Sequence, residues 1–248
     1  MQYEQTLVAV VAQEKYEQTQ HFINAVPNTP EITAHRELVS DFALARLPQD
    51  TAWMGFRDTY MVDGQRVRDH DARLDRLIAA GSRGALAEAQ AVNRENSRFN
   101  LGSEVIPRTI NVPTLVLGLI HPRNRWRFAL TKAREDILGG RGVWVVAYKE
   151  HEKPTIIRNV GGRDVPATGS VWVTPDTGEI LRTSLEISNP RDRMFASIVV
   201  DYAPDANVGS LVPVRMTESY ARPTSSVTAI ATYTNYRRFQ TTGRVIDR

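Results

Sequence analysis

Between about Arg125 and Phe239 the chain alternates short runs of Val, Ile, Thr and aromatic residues with turn-forming residues, and no stretch of helical period interrupts them. Parallel neighbours need a crossover of a dozen or more residues, usually a helix, so this series folds as an antiparallel meander and not as a wound βαβ array. Its clearest unit is Val171-Trp172-Val173, then Thr174-Pro175-Asp176-Thr177-Gly178-Glu179, then Ile180, Leu181, Leu185 and Ile187. A strand, a Pro/Asp/Gly turn and a second strand pair antiparallel. The same reading predicts strands over 125–132, 143–150, 154–158, 168–174, 179–187, 194–202, 211–220 and 227–239.

Several of these strands are apolar on both faces. Val143 and Val145 alternate with Trp144, Val146 and Tyr148; Met194, Ile198 and Val200 alternate with Phe195 and Val199. A sheet with one face in water alternates cleanly, so here something covers the second face or the sheet curls on itself.

The cover is expected from the first half of the chain. Leu74, Leu77 and Ile78 predict a helix over 71–80 stopped by Gly81, and Leu86, Ala89, Val92 and Phe99 predict another over 85–99. Val112 to Ile120, with Asn111 as N-cap and Pro113 in the first turn, predicts a short buried helix. Upstream, Tyr3, Leu7, Val10 and Val11 stand at helical spacing and predict a helix over 3–14, with 15–23 as its tail or a first strand. Leu38, Phe42 and Leu44 share one face of a strand over 34–47, and Trp53 to Val62 is a second strand closed by a hairpin at Asp63-Gly64. The expected fold is α+β: a strongly curved antiparallel sheet, a half-barrel, wrapped around or covered by a few helices. A single domain over residues 1–248 is expected, with a helical insertion at about 68–120.

Chemistry is sparse. Lys and Arg number 31 against 28 Asp and Glu, a net charge of +3 that is too small to mark a polyanion partner, and there is no cysteine. No run approaches the 18 apolar residues of a membrane-spanning helix. Asp69-His70-Asp71 reads as a helix N-cap, since neighbouring side chains point apart, and His21, His35, His121 and His151 are isolated. No HExxH, GxSxG or P-loop pattern occurs, and Gly139-Gly140-Arg141-Gly142 opens a strand and reads as a tight hairpin. Arg123, Arg125 and Arg127 interleave with Trp126 and Phe128, but strand alternation sends the arginines to one face and the aromatics with Leu130 to the other. Glu37, Asp41, Glu179 and Glu186 read as solvated strand positions, and Arg237-Arg238 as a strand edge. The expectation is no catalytic residue, no metal, no cofactor, no nucleic acid and no membrane span.

The order of segments resembles a known superfamily. Leu44-Ala45-Arg46-Leu47-Pro48 is followed by Trp53, then Asp63-Gly64, then Val112-Pro113-Thr114-Leu115-Val116-Leu117, then Asp176 and Gly178 with Leu181. This series is similar to the periplasmic lipoprotein carriers and receptors, the LolA/LolB-like superfamily, with a loose cover of most of the chain. Two departures stand out: Leu47 separates Arg46 from Pro48, and residues 66–111 form a larger helical insertion than the carriers have. The runs Phe56-Arg57-Asp58 and Tyr236-Arg237-Arg238-Phe239 look closest to an uncharacterised group of exported bacterial proteins within it. The resemblance implies a half-barrel enclosing helices, an apolar ligand such as a lipid or lipoprotein acyl chain, and a periplasmic or exported protein, with the cytoplasm as the alternative. Polar Gln2-Tyr3-Glu4-Gln5 after Met1 fits either a cytosolic chain or a mature form whose export signal was removed.

An acyl chain needs no polar motif, because each buried methylene contributes about 0.8 kcal/mol and ~12 of them roughly 10 kcal/mol gross. The expected function is therefore non-enzymatic binding of a hydrophobic ligand, lined by Trp53, Phe56, Leu115, Leu119, Trp126, Phe128, Trp144 and Trp172. The alternative for the same side chains is that they are simply core. A protein-interaction or envelope-stress sensing module with a filled core is a second reading. A hydrolase with a site converging from residues such as His70 and Glu37 is a third.

Overall fold

The computed structural model describes residues 2–22, 32–46, 53–67, 92, 95–102, 110–159, 161–191 and 193–246. They build one open antiparallel sheet of 11 strands. The strands are β1 (Gln2–Phe22), β2 (Ile32–Arg46), β3 (Trp53–Val62), β4 (Gln65–Arg66), β5 (Phe128–Leu138), β6 (Arg141–Glu150), β7 (Thr168–Val173), β8 (Ile180–Asn189), β9 (Met194–Asp205), β10 (Ser210–Arg222) and β11 (Ser225–Ile246). Their order is β4-β3-β2-β1-β11-β10-β9-β8-β7-β6-β5. The meander thus returns from the β5 edge until its last strand meets the first strand of the chain. β1 and β11 pair from Gln2↔Ile246 to Phe22↔Ser225, a ladder about 70 Å long at the rise of an extended strand.

Turn chemistry fixes the hairpins. A two-residue turn that follows the strand twist needs positive φ at both positions. Gly139 and Gly140 supply φ of 57° and 78°, and Asp63 and Gly64 supply 50° and 77°. The strands expected over 34–47, 53–62 and 168–239 all form, with shifted ends.

Four expectations need correction. Residues 3–14 are not a helix: they belong to β1, which has β2 on one side and β11 on the other. The helical spacing arises because β1 is covered on both faces here: Ala9, Val10, Val11 and Ala12 are all buried in succession, while the bulge opposite Ala12 lies in β11 and leaves the register of β1 with β2 unbroken. Residues 122–127 form a 3-10 turn opened by Pro122 and not the start of a strand, so β5 begins at Phe128. Residues 154–158 form no strand and contribute one isolated bridge, Arg158↔Asp164. Asn111 is not an N-cap: the helix α1 (Leu115–Leu119) starts after Thr114, with no side-chain cap. The helices expected over 71–80 and 85–99 fall largely outside the described residues, of which Val92 and 95–97 are helical. Among the described residues helices are few, and none is long and apolar enough to cross a membrane.

One face of the sheet carries the apolar cluster. Tyr16, Leu38, Phe42, Met216, Ala231, Val200, Ile198, Leu185, Ile187, Tyr148 and Phe128 share it with Val116 and Leu119 of α1. Direct register partners (Tyr16↔Leu38, Tyr16↔Ala231, Met216↔Ala231, Met216↔Val200, Leu185↔Ile198) keep these side chains on a common side across the strands. β9 shows the alternation plainly, with Met194, Ala196, Ile198, Val200 and Tyr202 buried and Phe195 exposed. The two-sided apolarity of β6 has a local cause. Val145 faces away from Tyr148, opposite Trp172 and Arg134. The Trp172 indole crosses β6 to donate to Asp136 on β5 at 3.4 Å, which roofs Val143 and Val145.

Candidate functional site

A charged pair lies inside the apolar face. Glu14 on β1 falls between Ala12 and Tyr16 on the inward side, and Arg57 on β3 is paired across to Phe42. The Arg57 guanidinium donates from Nη2 to Glu14 Oε1 at 2.7 Å and from Nε to Oε2. Both side chains are buried, with Glu14 at 0% exposure. Burial works against the Arg57 charge, but the Glu14 field and hydrogen bonding together outweigh it and hold the Arg57 pKa above its ordinary value. Tyr16 places its ring 5.1 Å from the guanidinium carbon. Tyr233, edge-on to Phe42 at 5.4 Å, has its pKa pushed up by burial and then by Glu14.

This pair fastens a strap of chain over the face. Arg57 Nη2 also donates to the Asn111 carbonyl at 3.2 Å, and Asn111 Nδ2 donates to Tyr16 Oη at 3.3 Å. Two residues on, the Pro113 carbonyl accepts from Tyr202 Oη at 2.6 Å. Burial raises the Tyr202 pKa, so the phenol keeps the proton it donates. Upstream, Asn96 accepts from Thr59 N at 3.1 Å and donates to the Arg57 carbonyl, while Leu101 N donates to Gln18 Oε1 at 3.0 Å. Gly55 leaves room for the strap: a Cβ there would sit 2.6 Å from Val112 Cγ1. Apolar anchoring comes from Val116 and Leu119, with Leu115 half-buried beside them.

The residues expected to line a ligand site do not converge. Leu115, Leu119 and Phe128 belong to the cluster on the strapped face, and Phe128 meets Tyr148 edge-on at 5.9 Å. Phe56 is buried on the opposite face of β3, across from Ala43. Trp126 is 61% exposed in the 3-10 turn, held by its Nε1 bond to the Arg123 carbonyl, so it does not share the inward face with Phe128. Trp144 is 40% exposed with Lys132 Nζ 4.2 Å from its ring, and Trp172 lies on the outer face. Trp53 opens β3 opposite Arg46, and its side chain lies outside the described residues.

Of the residues that organise the face, Glu14 and Tyr202 are not marked by the sequence reading, and it gives Asn111 and Arg57 other parts, as an N-cap and as a member of the Phe56-Arg57-Asp58 run. The available signal was a lone carboxylate and a lone guanidinium at inward positions of apolar strands, visible only once β1 is read as a strand. His70 of the hydrolase reading lies outside the described residues, and Glu37 is exposed. Among the described residues no group of His and carboxylate side chains could hold a metal ion.

No family model matches the chain, and no curated protein matches it. Among solved structures it is similar to an outer membrane lipoprotein-sorting protein domain from Vibrio parahaemolyticus, with 10% identity, 93% of this chain and 85% of that one covered, and a TM-score of 0.37. A DUF1329 family protein from Desulfovibrio piger is similar at 12% identity, with 91% and 85% covered and a TM-score of 0.33. A third is the MucA/MucB complex of Pseudomonas aeruginosa, at 9% identity, 91% and 93% covered, and a TM-score of 0.19.

Proposed function

We propose that this chain is a non-enzymatic carrier of the bacterial envelope, a single domain that takes an acyl chain of a lipid or lipoprotein against the strapped face of its curved sheet. The observation that carries the reading is the fastening of the strap. A broad apolar face is closed by a segment whose ties are hydrogen bonds to the Asn111 and Pro113 carbonyls and a handful of apolar side chains on α1. Such ties exchange for water at a net cost of about 1 kcal/mol for the Tyr202 bond and roughly 1.5–3 kcal/mol for the bond from the charged Arg57, less than a buried acyl chain returns. The ligand enters where Val116 and Leu119 withdraw and replaces their contacts. The order of motifs shared with the lipoprotein-carrier superfamily agrees with this reading.

The test is native mass spectrometry of protein purified from a bacterial envelope, followed by lipid extraction and titration with a fluorescent fatty acid. Co-purified lipid and saturable probe binding are expected. If no lipid is found and the probe does not bind, the carrier reading fails.

A second reading, a protein-interaction module, is favoured by one observation. β5 is an edge strand of 11 residues with Ile137 at 75% exposure, and among the described residues no strand pairs with its other side, where a partner strand could add.

A further inference from the structure

Away from the strapped face, the loop between β6 and β7 and the turn between β8 and β9 enclose a cleft of about 480 Å³. That volume lies within the ~300–1,000 Å³ range of small-molecule sites. Its walls carry the cations Lys153, Arg163 and Arg191 with the polar side chains Asn159, Ser188 and Asn189, against one carboxylate, Asp164.

The carboxylate is already engaged. Asp164 Oδ1 accepts from Thr155 N at 2.8 Å. Among the described residues, the ion pairs of the chain involve other cations, and Lys153, Arg163 and Arg191 have no carboxylate within ion-pair distance. Asp192, next to Arg191 in sequence, lies outside the described residues.

The cleft is built and not a gap between slack loops. Glu150, 2% exposed, accepts from Ile156 N at 2.9 Å and Ala167 N at 3.3 Å, which clamps the two arms of the loop together. Thr155 Oγ1 donates to the Ile157 carbonyl at 2.6 Å and accepts from Val165 N at 2.9 Å. Asn159 Oδ1 accepts from Arg163 N at 2.9 Å and fixes the turn that carries the Arg163 side chain. Holding like charges around one concavity is electrostatically unfavourable until an anion enters, and a concave wall focuses that field.

We propose that this cleft binds a phosphate monoester. Among the described lining residues the cations exceed the carboxylate by two charges, which matches the −1.5 to −2 of a monoester near neutral pH. Guanidinium groups grip phosphate oxygens with paired donors, and the volume leaves room for an organic substituent on the phosphate. The same chemistry is offered by a soluble metabolite and by a phospholipid headgroup.

Glycerol 3-phosphate titrated by calorimetry, with glycerol as the uncharged control, tests the soluble source. Flotation with phosphatidylcholine vesicles with and without phosphatidic acid tests the membrane source. The variant is R163Q/R191Q, whose exposed positions leave the fold intact, checked by an unchanged melting temperature. Binding to glycerol 3-phosphate, to phosphatidic acid vesicles or to both, weakened on the order of tenfold or more in the variant, supports the site. Failure of both probes to bind, binding that the variant retains in full, or equal binding of glycerol overturns it.

Discussion

Arg57 and Glu14 form their buried ion pair across β2, over the gap between Phe42 and Ser40, so that strands β3 and β1 are tied together above the strand that separates them. The pair also places a fixed charge under the Asn111 carbonyl, which makes it both a sheet tie and the seat of the strap.

Removing one partner leaves the other charged and dry. Glu14→Leu or Arg57→Leu is expected to lower stability by about 3–5 kcal/mol, whereas the double variant falls closer to the parent than either single, because no orphaned charge remains. Urea denaturation of the three variants checks this. Additive losses would show that the pair is not the unit.

Alkaline pH should unfasten the face. Burial raises the pKa of Tyr148, Tyr202, Tyr233 and Tyr236 above the ordinary 10.0 of a phenol. In the unfolded chain these phenols ionise near pH 10, while in the folded chain they keep their protons. Their contribution is therefore complete below about pH 10 and is lost as pH rises from there toward the folded values. Denaturation midpoints measured between about pH 9 and 11 are expected to fall, with a shallower slope in Tyr148→Phe. A midpoint flat across that window would contradict the argument.

Much of the sheet is legible in the sequence because its hairpins are local. Gly139-Gly140, Asp63-Gly64 and the Thr174–Gly178 turn each announce themselves by residues that tolerate the required φ, and the flanking β-branched residues alternate. β1 is not legible, because Ala9, Val10, Val11 and Ala12 are buried on both faces of the strand, which erases the apolar–polar alternation and leaves apolar residues at a helical interval. Pro122 hides the 3-10 turn in the same way, since Arg123 to Phe128 alternates like a strand while Trp126 points out. The site is harder still. Arg57 and Glu14 are 43 residues apart, and only the register β1–β2–β3 brings them together. Nor does the bulk of a Trp or Phe say which face its side chain takes: Phe128 turns inward, while Trp172 lies on the outer face and Trp126 is exposed.

Gly169 is expected to tolerate no side chain. The Tyr148 ring passes over it to donate to the Ser184 carbonyl at 2.8 Å, and a Cβ at 169 would fall 2.0 Å from that oxygen and 2.7 Å from Tyr148 Oη. The nearest obstacle is backbone and cannot rotate away. Gly169→Ala should cost about 3 kcal/mol, more than the ~1 kcal/mol for Tyr148→Phe, which loses only the hydrogen bond. Thermal unfolding of both variants decides the order.

The strap can be loosened without touching the ion pair. At Gly55 an added methyl would meet Val112 Cγ1 at 2.6 Å and Phe42 Cζ at 3.2 Å, so Gly55→Ala pushes on the residue that leads into α1. Protection of the Gly118 and Ile120 amides, which donate to the Thr114 and Val116 carbonyls, then reports how often α1 leaves the face. Gly55→Ala is expected to raise their exchange rates about tenfold, equivalent to ~1.4 kcal/mol, and to speed uptake of a fluorescent fatty acid. Adding Val112→Ala removes the obstructing methyl groups and should restore both rates toward the parent. Faster exchange with unchanged uptake would separate opening of the strap from ligand entry, and unchanged exchange would show that Val112 does not seat the strap on β3.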